Sequence, residues 1–400
     1  MNKYIKKIIK DILGNKIAVI LKFALSLYKD KIIVNYYKTK NKKYALLSYI
    51  QLPFIEYYFS HTNSFEATSW GKILNELGYQ VDIINYNSCI ELDLEKYDLI
   101  CGFGDIFQRY FEDSKLSHKA KTIYYATGMH VCHQNNVSLS RVKDVFDKKH
   151  KWLAKSARFV DKTWTHQTTF VDAIVALGND VCADSYKKYY NGKIYTLNAP
   201  FFRTLNATDF IESRHSNAKY NFMWFGSSGL IHKGLDLLLD YFKDHTEINL
   251  HICGSIEHEA DFVSVYYDEL SNKENIIVHG FVDINSDKFS QILKQCAFVI
   301  FPTCSEGGCV SILTAIGNGG LIPIVTKEAT INTMNQIWIE DFTLENIHLS
   351  IEEALRLDYD QIKDLQYKNL NYVLNTNSQD AYYDNLKSAL NSITKEEYEL

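Results

Sequence analysis

The chain has 400 residues, more than one ordinary core holds and suited to two or three domains of roughly 150 residues each. Its 46% hydrophobic and 23% charged content is globular, which excludes disorder, collagen and coiled coil, and 4 prolines with 18 glycines leave no low-complexity linker. The net charge of −5 is uneven: residues 1–43 carry 12 Lys against Asp11 and Asp30, a local +10 that leaves −15 for the rest, and so acidic a body excludes general nucleic-acid binding.

In chain order the basic start comes first. At helical spacing, residues 3–13 put Ile5, Ile8, Ile9, Ile12 and Leu13 on one face and Lys6, Lys7 and Lys10 on the other. Such a helix either lies on an anionic membrane surface or packs on the body with its lysines solvated. No run of 18 apolar residues occurs, and Lys22 interrupts the stretch 17–27, so no bilayer span is expected. No small-residue cleavage site marks a signal peptide, and the expected location is cytoplasmic, peripheral on the inner membrane face.

From residue 44 short apolar runs alternate with amphipathic stretches. Strands are predicted at 44–50, 81–86, 97–104 and 121–128, with a helix over 64–78. Residues 163–180 read as a strand–loop stretch, followed by a helix and a strand at 193–200. The polar interval 203–220 marks a boundary. The alternation then restarts, with strands at 220–226, 248–254, 275–281, 297–303 and 321–326 and helices over 232–243, 288–296 and 309–319. Near-continuous apolar strands joined through helices describe parallel sheets covered on both faces, in right-handed, Rossmann-like units. The expected parts are a basic segment 1–43, one domain over 44–205, a second over 206–375, and a helical end 376–400.

The eight cysteines are irregularly spaced and include no CxxC pair, so reduced thiols are expected. His130, Cys132 and His133 form the tightest metal-like cluster but show no fourth ligand, and no metal site is expected.

Ligands of doubly wound sheets lie beyond the carboxyl ends of the strands. Two loops there suit a diphosphate. One is FGSSG, with Gly226, Ser227, Ser228 and Gly229, followed by Lys233 near a helix start. The other is SEGG, where Gly307 and Gly308 lead through Cys309 into a helix whose first amides favour an anion. Neither matches a known phosphate-loop fingerprint, and ordinary turns or a surface lysine explain each feature alone. Glu306 either complements the helix dipole or accepts hydrogen bonds from sugar hydroxyls. His130 follows a glycine turn in the first half and is either structural or aimed at the same cleft. Gly254, Gly280 and Phe281 close two neighbouring strands.

Together, FGSSGLIHKGLDLLL, LHICGS, VHGFVD and FPTCSEGGCVSILTAIGNGGLIPIV make the stretch from Phe225 to Val325 resemble the nucleotide-sugar domain of GT-B glycosyltransferases, in particular the large retaining family 4. The first half is similar more weakly, through ATGMHVCHQNN, Arg141 and ALGND. The resemblance implies an α/β GT-B fold: two Rossmann-like doubly wound domains facing an interdomain cleft, with the C-terminal helix returning to the first. It implies transfer of a sugar from a nucleotide-sugar to a glycan or lipid-linked glycan, as in surface-polysaccharide assembly, with retention of configuration and without metal or cofactor. Lys233 and the amides of 226–229 and 307–309 would hold the diphosphate. Glu306 would orient the sugar, residues 279–283 would meet the base, and His130 would face the sugar from the other domain. Two positions depart from the family. Its second motif glutamate, on the ribose, is Thr314 here, and the arginine that often accompanies the lysine is Ser228. A catalytically silent partner subunit and a sugar-nucleotide epimerase are the alternatives.

Overall fold

The computed structural model describes residues 31–58, 61–162 and 164–395. The amphipathic segment 3–13, with its membrane reading, lies outside the described residues. Among those described, no helix is long and apolar enough to cross a membrane.

Two six-stranded parallel sheets organise the chain. The first runs β2-β1-β3-β4-β5-β6, from β1 (Lys43–Tyr49), β2 (Tyr79–Asn85), β3 (Leu99–Gly102), β4 (Lys121–Ala126), β5 (Ala173–Leu177) and β6 (Lys193–Leu197). Its central strands are buried along their length because helices cover both faces. The second runs β12-β11-β10-β7-β8-β9, from β7 (Asn221–Phe225), β8 (Asn249–Cys253), β9 (Ile276–Gly280), β10 (Phe298–Phe301), β11 (Ile322–Val325) and β12 (Ile337–Trp338). Each order reverses once, between β1 and β3 and between β7 and β10, and these reversals are where such sheets open a crevice for a ligand.

Some elements differ from the sequence reading. The stretch 163–180 begins with a short helix, Thr165–Thr169, before β5. The polar interval 203–220 holds the helix Ala207–Ser213, whose Ala207 and Ile211 pack on Leu370, so two apolar contacts suffice to fold a segment without a long apolar period. The two-residue β12 and the short helices Ala260–Val265 and Tyr267–Asn272 carry too little periodicity to be read. Residues 31–43 add to the first sheet's edge: Ile33 bridges Ile83, and the Tyr36 amide donates to the Val81 carbonyl at 3.0 Å.

The two halves are tied together twice. The C-terminal helix Gln379–Lys395 leaves the second half and packs on the helix Asn63–Glu76, with Tyr383 and Lys387 reaching Glu76 at 2.8 and 2.7 Å. Its Tyr382 hydroxyl meets that of Tyr125 at 3.1 Å. The second tie is the helix Val131–Lys149, which follows β4 and presses on the helix Leu235–Phe242. There Arg141 pairs with Asp236 at 2.6 Å, both about 1% exposed, and Lys149 pairs with Asp240 and Glu269 at 3.2 Å each.

Candidate functional site

The second sheet's reversal places the ends of β7 and β10 side by side, so the loops that follow them, 226–234 and 302–309, must share one space. Gly234 makes this approach feasible. It adopts φ +68°, and a Cβ there would sit 2.2 Å from the Pro302 carbonyl oxygen. Lys233 next to it is buried, and its ammonium donates to the Glu306 carboxylate. Arg158, from the first half of the chain, approaches the same carboxylate at 3.5 Å. Thus one carboxylate and two cations meet where the halves face each other.

Electrostatics fix their charge states. Burial pushes Glu306 up, but chiefly Lys233 and then Arg158 outweigh it and hold the carboxyl down at about 2. His232 is fully buried: its Nε2 donates to the Ser305 carbonyl at 2.5 Å and its Nδ1 accepts from Ser138 at 3.0 Å. Burial pushes its pKa down to about 3, only partly offset by Glu306, so the ring is neutral. A histidine depressed on folding contributes stability that is present above the unfolded value near 6.5 and is lost as pH falls toward 3. Denaturant titrations at pH 7 and pH 4 should therefore differ by roughly 3 kcal/mol from this residue. His232→Gln should flatten that slope, and an unaltered slope would place the acid sensitivity elsewhere.

The amides expected to hold a diphosphate are only partly available. Gly226 donates to the Cys253 carbonyl at 3.0 Å, inside the sheet. The buried Glu259 takes the amides of Gly229 and Leu230, so part of the first loop already has its anion. In the second loop Gly308 donates to Thr330 Oγ1 at 2.7 Å and Cys309 to the Ala329 carbonyl at 3.1 Å. Amides without a partner among the described residues are those of Ser227, Ser228 and Gly307, with Val310 and Ser311 at the start of the helix Val310–Gly319. Of the amides the sequence pointed to, those of Ser227, Ser228 and Gly307 thus remain available, and those of Gly226, Gly229, Gly308 and Cys309 hold the loops together.

The first half closes over this loop. A Cβ on Gly307 would lie 2.3 Å from the Thr127 carbonyl oxygen, so the loop after β4 rests directly on SEGG. Three residues on, His130 caps the helix Val131–Lys149, its Nδ1 accepting from the Cys132 amide at 3.2 Å. Its ring stacks on Tyr189 at 4.0 Å, and burial together with His133 pushes its pKa down to about 4. The neutral ring carries its proton on Nε2, which is buried and finds no partner among the described residues.

Gly226, Gly254 and Gly280 lie together at neighbouring strand ends: a Cβ on Gly254 would meet the Gly226 oxygen at 2.3 Å, and the Gly254 amide donates to the Gly280 carbonyl at 2.9 Å. Phe281 follows, 71% exposed. Thr314 is buried, and its hydroxyl donates back to the Val310 carbonyl at 2.8 Å. Among the described residues no three His, Cys, Asp or Glu side chains gather as a metal cage, and Cys132 is exposed. All eight cysteines are unpaired. Two participants were not readable in the sequence. Arg158 ends a short 3-10 helix in the left-handed region, and Glu259 starts a short helix, and neither has a linear signal linking it to these loops.

Comparison with known proteins gives a consistent picture. Residues 207–368, about two fifths of the chain, match the family described as Glycosyl transferases group 1. No curated protein matches the chain. Among solved structures, a glycosyltransferase from Rickettsia africae is similar at 14% identity and TM-score 0.54, with 89% of this chain and 100% of that one covered. HepE from Anabaena, solved in complex with UDP and glucose, is similar at 11% identity and TM-score 0.53, covering 88% and 100%. The catalytic domain of starch synthase IV from Arabidopsis thaliana, bound to ADP and acarbose, gives 10% identity and TM-score 0.51, covering 89% and 100%. At these identities the likeness establishes the fold, a two-domain GT-B arrangement.

Proposed function

Residues 207–368 belong to the glycosyl transferases group 1 family within a GT-B fold, and on that premise we propose that the chain transfers a sugar from a nucleoside-diphosphate sugar to a glycan or lipid-linked glycan. The observation that carries the reading is the cluster of Lys233, Glu306 and Arg158 between the two halves. In the proposed reaction the bond from the anomeric carbon to the phosphate oxygen breaks, and its electron pair leaves on the diphosphate. Lys233 and Arg158 neutralise that charge together with the amides of the helix start at Val310. The acceptor oxygen bonds to the anomeric carbon from the face the leaving group vacates, and its proton passes to the departing phosphate oxygen. Configuration is then retained, and two side-chain cations do the work for which other transferases recruit a metal.

Arg158 answers the departure noted at Ser228. The family's second cation is absent from the glycine-rich loop, yet a guanidinium arrives from the other half of the chain, its Cβ 3.0 Å from where a Cβ on Gly229 would stand. Diphosphate affinity in this chain therefore depends on the halves being closed. Glu306, between the two cations, accepts from hydroxyls of the sugar. His130 Nε2 donates to the same sugar from the opposite wall.

Titration calorimetry with UDP, ADP and GDP tests the assignment. Lys233→Ala should weaken binding of the preferred diphosphate by about 1.5–3 kcal/mol, and Arg158→Ala, half exposed, by about 1 kcal/mol. Unchanged affinity in both would remove the cluster from the donor site. Product analysis with donor alone and with added glycans separates transfer from epimerisation and from silent binding.

A further inference from the structure

A residue outside the charged cluster is held in a conformation its side chain disfavours. Thr330 closes the short turn Lys327–Ala329 in the left-handed region, at φ +52°, and is 1% exposed. A β-branched side chain is an outlier there, and glycine would hold the same turn without strain. We propose that Thr330 is a positioning residue that makes the shape of the loop around Glu306 depend on closure of the two halves, an inference that rests on the glycosyltransferase reading above.

The hydroxyl is what the strain keeps in place. Its oxygen accepts from the Gly308 amide at 2.7 Å and its proton goes to the Glu306 carbonyl at 3.2 Å, so one side chain grips SEGG at two points. The second bond also orients a neighbouring group. The Glu306 carbonyl shares a planar, trans peptide unit with the Gly307 amide, and in such a unit the two groups point in opposite directions. Turning the carbonyl toward Thr330 therefore turns the Gly307 N–H away from it. That amide has no partner among the described residues and is one of those left to the diphosphate. The same unit carries the Cα from which the Glu306 carboxylate reaches Lys233.

The first half of the chain braces this residue. In ALGND, the Asn179 amide donates to the Thr330 carbonyl at 3.1 Å, and Asn179 Nδ2 donates to the Ile331 carbonyl at 3.1 Å. Gly178 packs so closely that a Cβ there would stand 2.9 Å from Thr330 Oγ1. Asn179 is itself fixed, its Oδ1 capping the helix Asp180–Tyr186 through the Val181 amide at 3.1 Å. With the halves together, these contacts offset the strain at Thr330. With the halves apart they are lost, the turn is free to leave the left-handed region, and the hydroxyl releases Glu306 and Gly308 together. Closure thus orders the loop that the donor meets.

Hydrogen–deuterium exchange of the full chain, followed by mass spectrometry over residues 304–312, tests the coupling without a substrate. Thr330→Gly keeps the turn and removes the hydroxyl, whereas Asn179→Ser keeps a helix cap and removes the Nδ2 donor. Each should speed exchange of this segment, Thr330→Ser should not, and Asn179→Ser should add nothing in the Thr330→Gly background. Turnover of a sugar nucleotide then reads the consequence: Thr330→Gly should lower kcat roughly 10–100-fold, with Thr330→Ser restoring most of the rate. Exchange unchanged by either Thr330→Gly or Asn179→Ser, additive effects of the two, or wild-type kcat in Thr330→Gly each overturns the proposal. Consumption of no sugar nucleotide by the unmodified chain overturns the glycosyltransferase reading instead, and the exchange result still decides the coupling.

Discussion

Glu306→Gln should lower sugar transfer by about 10²–10³-fold while affinity for the bare nucleoside diphosphate holds or rises. The substitution preserves shape and hydrogen-bonding capacity and removes one negative charge. That charge sits between Lys233 and Arg158 and is held ionised far below neutral pH. Without it, both cations are released to the diphosphate, so nucleotide affinity has no reason to fall. The sugar, however, exchanges one accepting oxygen for an amide donor and loses the negative charge near its anomeric centre as positive charge develops there. Steady-state donor consumption and calorimetry, run on the same preparation, separate the two effects. Transfer at wild-type rates would reduce Glu306 to an ion-pair partner.

Arg141→Ala should be the most destabilising single change, by about 3–5 kcal/mol, because it leaves the Asp236 carboxyl, whose pKa burial already raises, without its partner. Arg141 remains protonated: burial opposes its charge, but Asp236 and Asp144 outweigh that effect. Arg141→Met combined with Asp236→Leu should recover most of the loss, since well-packed apolar side chains of similar volume often replace a buried pair without cost. Thermal denaturation of the two single variants and the double variant tests this. If the double variant is no more stable than Arg141→Ala alone, the interface requires the charges themselves. The pair also sits close to the chemistry. Ser138, on the same helix as Arg141, hydrogen-bonds His232, which holds the Ser305 carbonyl beside Glu306. Loosening the helix should therefore lower transfer in proportion to the stability lost.

Much of the architecture was legible because buried parallel strands leave unbroken apolar runs: FVIF and IPIV are strands in the sequence and in the structure. Lys233 and Glu306, 73 residues apart, were legible as members of two separate loops because each follows a strand end and precedes a helix. What the sequence did not carry was traffic across the fold. Glu259 claims loop amides that spacing assigned to a ligand, and Thr330 does the same for Gly308. Arg158 supplies a cation that no position near Ser228 encodes. These are long-range hydrogen bonds and ion pairs, and no local period records them.

The C-terminal helix has a consequence for synthesis. Tyr382 completes the wall around Glu66, a buried carboxylate that accepts from Tyr49, Thr62 and Tyr125 at 2.8–3.1 Å. Tyr125 and Tyr382 are 257 positions apart, with the whole second sheet between them. At 5–20 residues per second, the ribosome adds residues 205–395 in roughly 10–40 s. During that interval the first sheet has emerged, but the helix Asn63–Glu76 keeps an uncovered apolar flank and Glu66 stays open to water. The first half to be made is thus the last to be finished, and it is the part exposed to chaperones and to aggregation while the second half folds.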